Sequence, residues 1–539
     1  MRTPEQQIQA ALGISGFRLD NGSLRKTGRF FAQYAIELPS AFQHGLPPHW
    51  RFSALSTQAQ KNTPKDSADI VAEALQTMDE HRRLSIGSPV PLIILCDDPS
   101  LRLNDELGKE LNRYNNVFFM DQSDFRSRPG TTQELRSAPF LMAIRRGLNR
   151  QQSAQLLSPY TPGQPVSDWR FFGRQKELQR IITSPGSYMV VGARRIGKTS
   201  LLKHLDSQLA AKGAKVYYLN VQDCNTEDQI LNRILNLLEQ RDLTAIMKRK
   251  EVVAERLFYL ALRRLARDPG VVLLLDELGN VLMNENADAW SVIGTLRTFA
   301  QSGRIRIIAS AFQEFFLRQQ RDFSGPWVNF FTPVLLSGLS REELREFVIL
   351  PLSNWASVSN PSALLDFVIT AVGQHPLALQ YFCQALFEAA IYNDKVDLMY
   401  EAKRVADVDV LKYFRDVLNQ LFYDLPSTIK YLYLWQCHRM AGRGISAHQV
   451  IFDDDVVDEA MRQGLLSSTT TTRRNLLINL ELRGLTQPEA DNPAQQRVTT
   501  PILYRALKRA EGKLDRYLEK LRAELPRDAH TFGLELVRS

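Results

Sequence analysis

The residues with the clearest chemistry lie in the run Ser187-Tyr-Met-Val-Val-Gly192-Ala193-Arg194-Arg195-Ile196-Gly197-Lys198-Thr199-Ser200. The run fits GxxxxGK[ST], with an apolar strand-like lead-in at Tyr188–Val191 and helical spacing from Lys198 onward. Two glycines permit the backbone angles that turn successive N–H groups inward, making an anion cradle at a helix N-terminus. The spacing assigns Lys198 to the β- and γ-phosphates of a nucleotide and the Thr199 hydroxyl to a Mg²⁺ position. Gly192, Ala193, Arg194, Arg195, Ile196, Gly197, Lys198, Thr199 and Ser200 are therefore expected to bind ATP or ADP.

A second run, Gly270-Val-Val-Leu-Leu-Leu-Asp276-Glu277, ends five apolar residues with two acids. Such a run suits a central parallel strand covered on both faces. Asp276 is expected to support Mg²⁺, directly or through water, and Glu277 to activate the attacking water. The next apolar run, Ile305–Ala309, ends at Ser310, with Gln313 just beyond. Two readings of Ser310 stand open, a γ-phosphate sensor and a cap for the following helix. Between the two motifs, Lys215–Val221 reads as a strand ending in Gln222-Asp223.

The elements that must position these side chains follow from periodicity. Residues 169–337 alternate strands and helices, the pattern of a parallel sheet covered on both faces. Residues 338–425 are helical, with apolar stripes such as Leu344, Phe347, Val348 and Leu379, Phe382, Leu386. Residues 426–511 show two helices (Ser427–Met440 and Val456–Leu466), a third opening with Thr470 to Asn475, and a polar hairpin region up to Thr500. A last helix runs over about Leu503–Leu525, and residues 512–539 form its end and a tail. Residues 151–168 are rich in Gln, Ser and Pro and read as a linker. Residues 1–150 read as a mixed α/β domain. It has helices at Pro4–Leu12, Ala68–Arg83, Asn104–Tyr114 and Glu134–Leu148, and strands near Phe17–Leu19, Phe30–Leu38, Trp50–Leu55, Pro91–Leu95 and Asn116–Met120. The expected fold class is α/β: a P-loop NTPase parallel-sheet core with a helical lid and a winged helix, plus the N-terminal mixed α/β domain.

The chain has 539 residues, 44% hydrophobic and 23% charged, which excludes wholesale disorder and implies several domains. No apolar run is long enough to cross a bilayer. No secretory signal is visible, and Cys96, Cys224, Cys383 and Cys437 are too scattered for a CxxC pair, so a cytoplasmic location is expected. The net charge of +8 is compatible with nucleic acid without arguing for it.

Several ordered motifs carry a family resemblance. Phe171-Phe172-Gly173-Arg174-Gln-Lys-Glu177-Leu178, SPYTPGQPV before it and GARRIGKTSLL after it resemble the STAND group of signal-transduction ATPases, relatives of AAA+ and replication-initiator ATPases. FSGPWVNFF (323–331), LSGLSREELREFVILP (336–351) and VGQHPLALQ (372–380) follow in the family's order. The resemblance implies that Phe172, Gly173 and Arg174 pack near the adenine and that Pro376 touches the base, with His375 near a phosphate. It further implies an ADP-bound closed form, an ATP-bound form that associates as a homo-oligomer, and an effector or adaptor at residues 1–150 with a protein partner. A role in bacterial defence or stress signalling is implied in the same way. No arginine finger or sensor-2 arginine is fixed; Arg194, Arg195, Arg318 and Arg321 are candidates.

An alternative reading is an AAA+-type ATPase that loads or remodels on DNA. The third helix of 426–511 presents Arg473, Arg474 and Asn475, types that read base edges or phosphates. In the STAND group the winged helix instead forms part of the nucleotide-dependent latch. A third reading is a nucleotide-binding scaffold with negligible turnover. Residues 1–150 are loosely similar to restriction-endonuclease-like folds. Asp20 and the stretch Trp50 to Lys61 lack the acid and lysine spacing of a Mg²⁺ nuclease, so a degenerate or unrelated interaction domain is expected. Asp97-Asp98-Pro99-Ser100 reads as a turn and helix start.

Overall fold

The computed structural model describes residues 4–12, 17–19, 25–26, 31–38, 45–55, 64–84, 90–96, 117–121, 139–151, 154–166, 168–224, 227–237, 254–268, 270–279, 292–312, 329–423, 425–464, 476–481, 483–489, 491–512 and 514–525. They form two compact units. The first gathers 1–161, 344–365 and 382–404; the second gathers 162–343, 366–381 and 405–539.

The first unit is built on a six-stranded mixed sheet: β1 (Arg18–Leu19), β2 (Arg25–Lys26), β3 (Phe31–Glu37), β4 (His49–Leu55), β5 (Leu92–Cys96) and β6 (Val117–Asp121). β1 and β2 pair antiparallel with β3, β3 pairs antiparallel with β4, and β4, β5 and β6 run parallel. The helix Pro64–Leu84 covers one face through Ile70, Ala74 and Met78, packed on Leu92, Ile94, Cys96 and Phe119. On the other face Trp50 meets Phe118 and Phe140, the latter edge-on at 6.0 Å, beneath the helix Pro139–Gln151. Gly147 of that helix is fixed by space, since a Cβ there would lie 2.7 Å from the Phe118 ring.

Composition reads 151–168 as a linker, yet Ala154, Leu157 and Tyr160 are buried within the first unit. The Tyr160 hydroxyl donates to the Phe347 carbonyl at 2.8 Å. A buried phenol needs such a partner, and an aromatic held this way makes a packed segment out of a polar stretch. The helical region 338–425 likewise divides, with 344–365 and 382–404 in the first unit and the rest in the second.

The second unit is a P-loop NTPase sheet of five parallel strands: β7 (Tyr188–Gly192), β8 (Lys215–Asn220), β9 (Val271–Asp276), β10 (Ile305–Ala311) and β11 (Thr332–Leu336). Their order is β11-β7-β10-β9-β8. β7, β9 and β10 are almost entirely buried, as expected for strands covered on both faces. One face packs the helices Glu227–Leu237, Ala254–Leu265 and Val292–Gln301; the other packs Gln175–Thr183 and Lys198–Ala211. β11 pairs with β7 as an edge strand that the short run TPVLL gave no signal for.

Toward the C-terminus this unit carries helices Val410–Leu418, Ser427–Ala441 and Asp454–Arg462, and a helical stretch at 476–481. A three-stranded antiparallel sheet accompanies them: β12 (Ile451–Phe452), β13 (Thr486–Pro488) and β14 (Gln496–Val498), in the order β12-β14-β13. The expected last helix is two helices, Pro501–Glu511 and Leu514–Ala523. They break at Gly512, whose φ of 65° lies outside the helical region.

Candidate nucleotide site

β7 delivers the chain into the phosphate loop at Gly192. A Cβ at this position would stand 2.7 Å from the Leu336 carbonyl of β11, so only glycine fits between the two strands. At the other end Gly197 has φ 104°, a value open to glycine, and caps the helix Lys198–Ala211. Between them Ala193 and Ile196 are buried, and Arg194 and Arg195 are exposed. Lys198 is buried; its Nζ donates to the carbonyls of Gly192 and Ala193 at 3.1 and 3.0 Å and lies 3.7 Å from the Phe312 ring centroid. Thr199 is half-buried on the first turn. The Ser200 hydroxyl accepts from the Val166 N–H at 3.1 Å, and Arg195 donates to the Gly163 carbonyl at 2.9 Å. Both bonds tie the TPGQPV segment to the loop.

Asp276 ends β9 with its carboxylate fully buried. Ser310 on β10 donates to one oxygen at 2.5 Å, and Tyr218 on β8 donates to the other at 2.7 Å. The Ser310 hydroxyl also accepts the Glu277 N–H at 2.9 Å. Ser310 is thus committed to the two acids beside it. Glu277 adopts φ 63°. Burial raises its carboxyl above the usual range, against the pull of Lys198, with Asp276 raising it further. A carboxylate made more basic by burial is a better proton acceptor.

Arg174, expected near a base, is almost wholly buried, with φ 61°. Its guanidinium donates to the Ser337 carbonyl and pairs with Glu177 at 3.5 Å, and its N–H donates to Glu343. Glu343 also accepts the Ser340 N–H at 2.7 Å while Ser340 takes the Glu343 N–H at 3.3 Å, a capping box that Ser340-x-x-Glu343 announces in sequence. Burial works to raise the Glu343 carboxyl, but these donors and Arg174 hold it below the usual value. Gly173, with φ 72°, lies against the Glu343 side chain. Phe172 is half-buried, and the neighbouring Phe171 stacks on His204 at 4.5 Å.

Pro376, also half-buried, opens the helix Pro376–Tyr392. His375 before it is buried, its Nδ1 accepting the Leu377 N–H at 3.2 Å. Burial pulls this imidazole down to about 3, and the nearby Arg174 adds to the effect. A Cβ on Gly484 would stand 2.8 Å from the His375 ring and 3.0 Å from Ala193. Next to it the Gln374 N–H donates to the Thr499 carbonyl at 2.8 Å, and Thr499 Oγ1 donates to the Gly484 carbonyl at 2.8 Å.

Tyr218, Phe312 and Gly484 join the phosphate-loop and acid motifs without a motif of their own. Gln313, Arg318, Arg321, residues 323–328, Arg473, Arg474 and Asn475 lie outside the described residues, as do Asp20, Asp97, Asp98, the predicted helix Asn104–Tyr114 and 56–63. Among the described residues no group of three or more His, Cys, Asp or Glu is placed to hold a metal ion, and no helix is long and apolar enough to cross a membrane.

Residues 180–316 match the AAA domain family. Among curated proteins none matches the chain. Among solved structures, it is similar to the ORC2 protein of Aeropyrum pernix in ADPNP–ADP complexes, at 15% identity and TM-score 0.41, covering 68% of this chain and 95% of that one. A Walker-type ATPase of Pyrococcus abyssi aligns at 12% identity and TM-score 0.40, over 63% and 96% of the two chains. Cdc6p from Pyrobaculum aerophilum aligns at 17% identity and TM-score 0.33, over 68% and 97%.

Proposed function

We propose that the chain is a Mg²⁺-dependent ATPase working as a slow, nucleotide-controlled switch of the STAND kind, in which residues 426–511 form a winged helix closed on the phosphate loop. The observation that supports this reading is the seat of Gly484 against Ala193 and His375. A nucleotide held in the loop cannot shift Ala193 without moving the hairpin that follows Gly484.

The residues present fit the nucleotide and its metal. The glycine cradle and Lys198 would hold the phosphates, and the Thr199 hydroxyl and Asp276 would hold Mg²⁺, an ion that commonly uses one or two protein ligands plus phosphate oxygens. Mg²⁺, when bound, neutralises charge on the phosphates. Glu277 takes the proton of the attacking water at its carboxylate. In the switch reading the hairpin holds the ADP form shut, the ATP form associates with further copies, and residues 1–150 engage a protein partner in the cytoplasm.

The test is Gly484→Ala. The added methyl meets His375 and Ala193 inside contact distance and strains a residue with φ 70°. ADP should leave about tenfold faster, equal to about 1.4 kcal/mol of lost closure. Unchanged ADP release from a variant with an intact thermal transition would refute the latch.

A second reading, a DNA-binding AAA+ ATPase, is favoured by the three-stranded sheet β12-β14-β13 set among helices. Duplex binding that weakens steeply with salt, and whose salt slope falls by about 1–2 units in Arg473→Ala with Arg474→Ala, would select it. Absence of duplex binding at physiological salt leaves the switch.

A further inference from the structure

Three adjacent strands converge on one carboxylate. Asp276 sits at the end of β9, and its neighbours on both sides reach it with hydroxyls, Ser310 from β10 and Tyr218 from β8. The register explains the reach. Asn220, not Tyr218, stands directly opposite Asp276; Tyr218 pairs with Leu274 and extends along the same face to the carboxylate two residues on. Only a side chain as long as tyrosine, with a terminal donor, spans that offset.

We propose that Tyr218 is a positioning residue: with Ser310 it fixes the plane of the Asp276 carboxylate, and thereby sets how tightly the site takes Mg²⁺ beside a nucleotide. This rests on the nucleotide reading given above. The physical reason is that each Asp276 oxygen already accepts one O–H bond, which gives the group one orientation and leaves a lone pair on each oxygen for the metal or its water. Groups that orient a metal's carboxylate commonly matter to metal affinity nearly as much as the ligand does. Ser310 extends the clamp to Glu277 through the bond it accepts from that residue's N–H. Ser310 therefore links the metal-supporting carboxylate to the backbone of the water-activating residue.

The experiment is Tyr218→Phe in the full chain, probed with a fluorescent ADP analogue with and without Mg²⁺. Without Mg²⁺ the affinity should match wild type within about twofold, because the phosphate loop is untouched. The gain in affinity on adding Mg²⁺ should shrink about tenfold, and raised Mg²⁺ should restore it. Tyr217→Phe, one residue away on the opposite face of the strand, should behave as wild type. If Tyr218→Phe folds poorly, Ser310→Ala removes the other donor and should give the same Mg²⁺-selective loss. A wild-type Mg²⁺ response in a folded Tyr218→Phe would overturn the role of Tyr218 alone. A wild-type chain with no Mg²⁺-dependent nucleotide binding would overturn the site reading and this inference with it.

Discussion

Strands β5 and β9 invite comparison, because they look alike as text: LIILC followed by Asp97-Asp98, and VVLLLD followed by Glu277. Each is a fully buried apolar run inside a sheet with helices on both faces. Their surroundings differ. β9 lies between β8 and β10, which supply Tyr218 and Ser310 to Asp276, and one strand further over β7 opens into the phosphate loop. β5 lies between β4 and β6, where Ala54 stands beside Leu95 and Met120 on the other side. Its packing partners on the helix side are Ile70, Ala74 and Met78. A pair of acids after a buried strand thus acquires chemical meaning from donors on the flanking strands and from a helix N-terminus alongside. In the first unit the described residues of β5 serve packing, and Asp97 and Asp98 lie outside the described residues.

Glu277→Gln should break the contrast most severely. It keeps the shape of the side chain and removes the proton acceptor, so hydrolysis should fall about 10²–10⁴-fold while ATP still binds. Single-turnover assays check this, and full hydrolysis by the variant would reassign the catalytic carboxylate. On the packing side, Trp50→Ala empties the contact with Phe118 and Phe140. It should cost the first unit about 3–5 kcal/mol, seen as an early unfolding transition in calorimetry. Lys198→Ala removes a charge-assisted hydrogen-bond donor worth about 1.5–3 kcal/mol. ADP affinity should drop about 10–100-fold by titration calorimetry, without loss of fold.

The smallest expected effect is a pH slope from His375. Its folded value of about 3 lies below the free value of 6.5, so unfolding takes up a proton between those limits. Stability is full above about pH 6.5 and declines as pH falls toward 3, by at most about 1.4 kcal/mol per unit. His375→Asn should flatten this part of the curve, and thermal midpoints at pH 7 and pH 5 would show it. A slope unchanged in the variant would place the proton uptake elsewhere.

The phosphate loop was legible because its chemistry is local: glycines, Lys198 and Thr199 act within one turn of chain. Asp276 and Glu277 were legible because two acids closing a run of five apolar residues stand out in the sequence. Tyr218 was hidden, since its reach to Asp276 depends on strand register, which no neighbouring residue encodes. Gly484 belongs to no motif, and its contact with Ala193 joins segments far apart in the chain. The assignment of 344–365 and 382–404 to the first unit was equally invisible, because a helical stripe states that it is buried without naming what buries it.

Among the described residues, five that are not glycine have positive φ, and Arg174, Arg195 and Glu277 are three of them. A left-handed turn in an L-residue costs roughly 1–2 kcal/mol, whereas glycine adopts it freely at an entropic loss of about 0.5–1 kcal/mol. Glu277→Gly should therefore fold at least as stably as the parent while losing its carboxylate. Under the hydrolysis proposed above, the acid at this corner is held at a cost in stability that glycine would avoid.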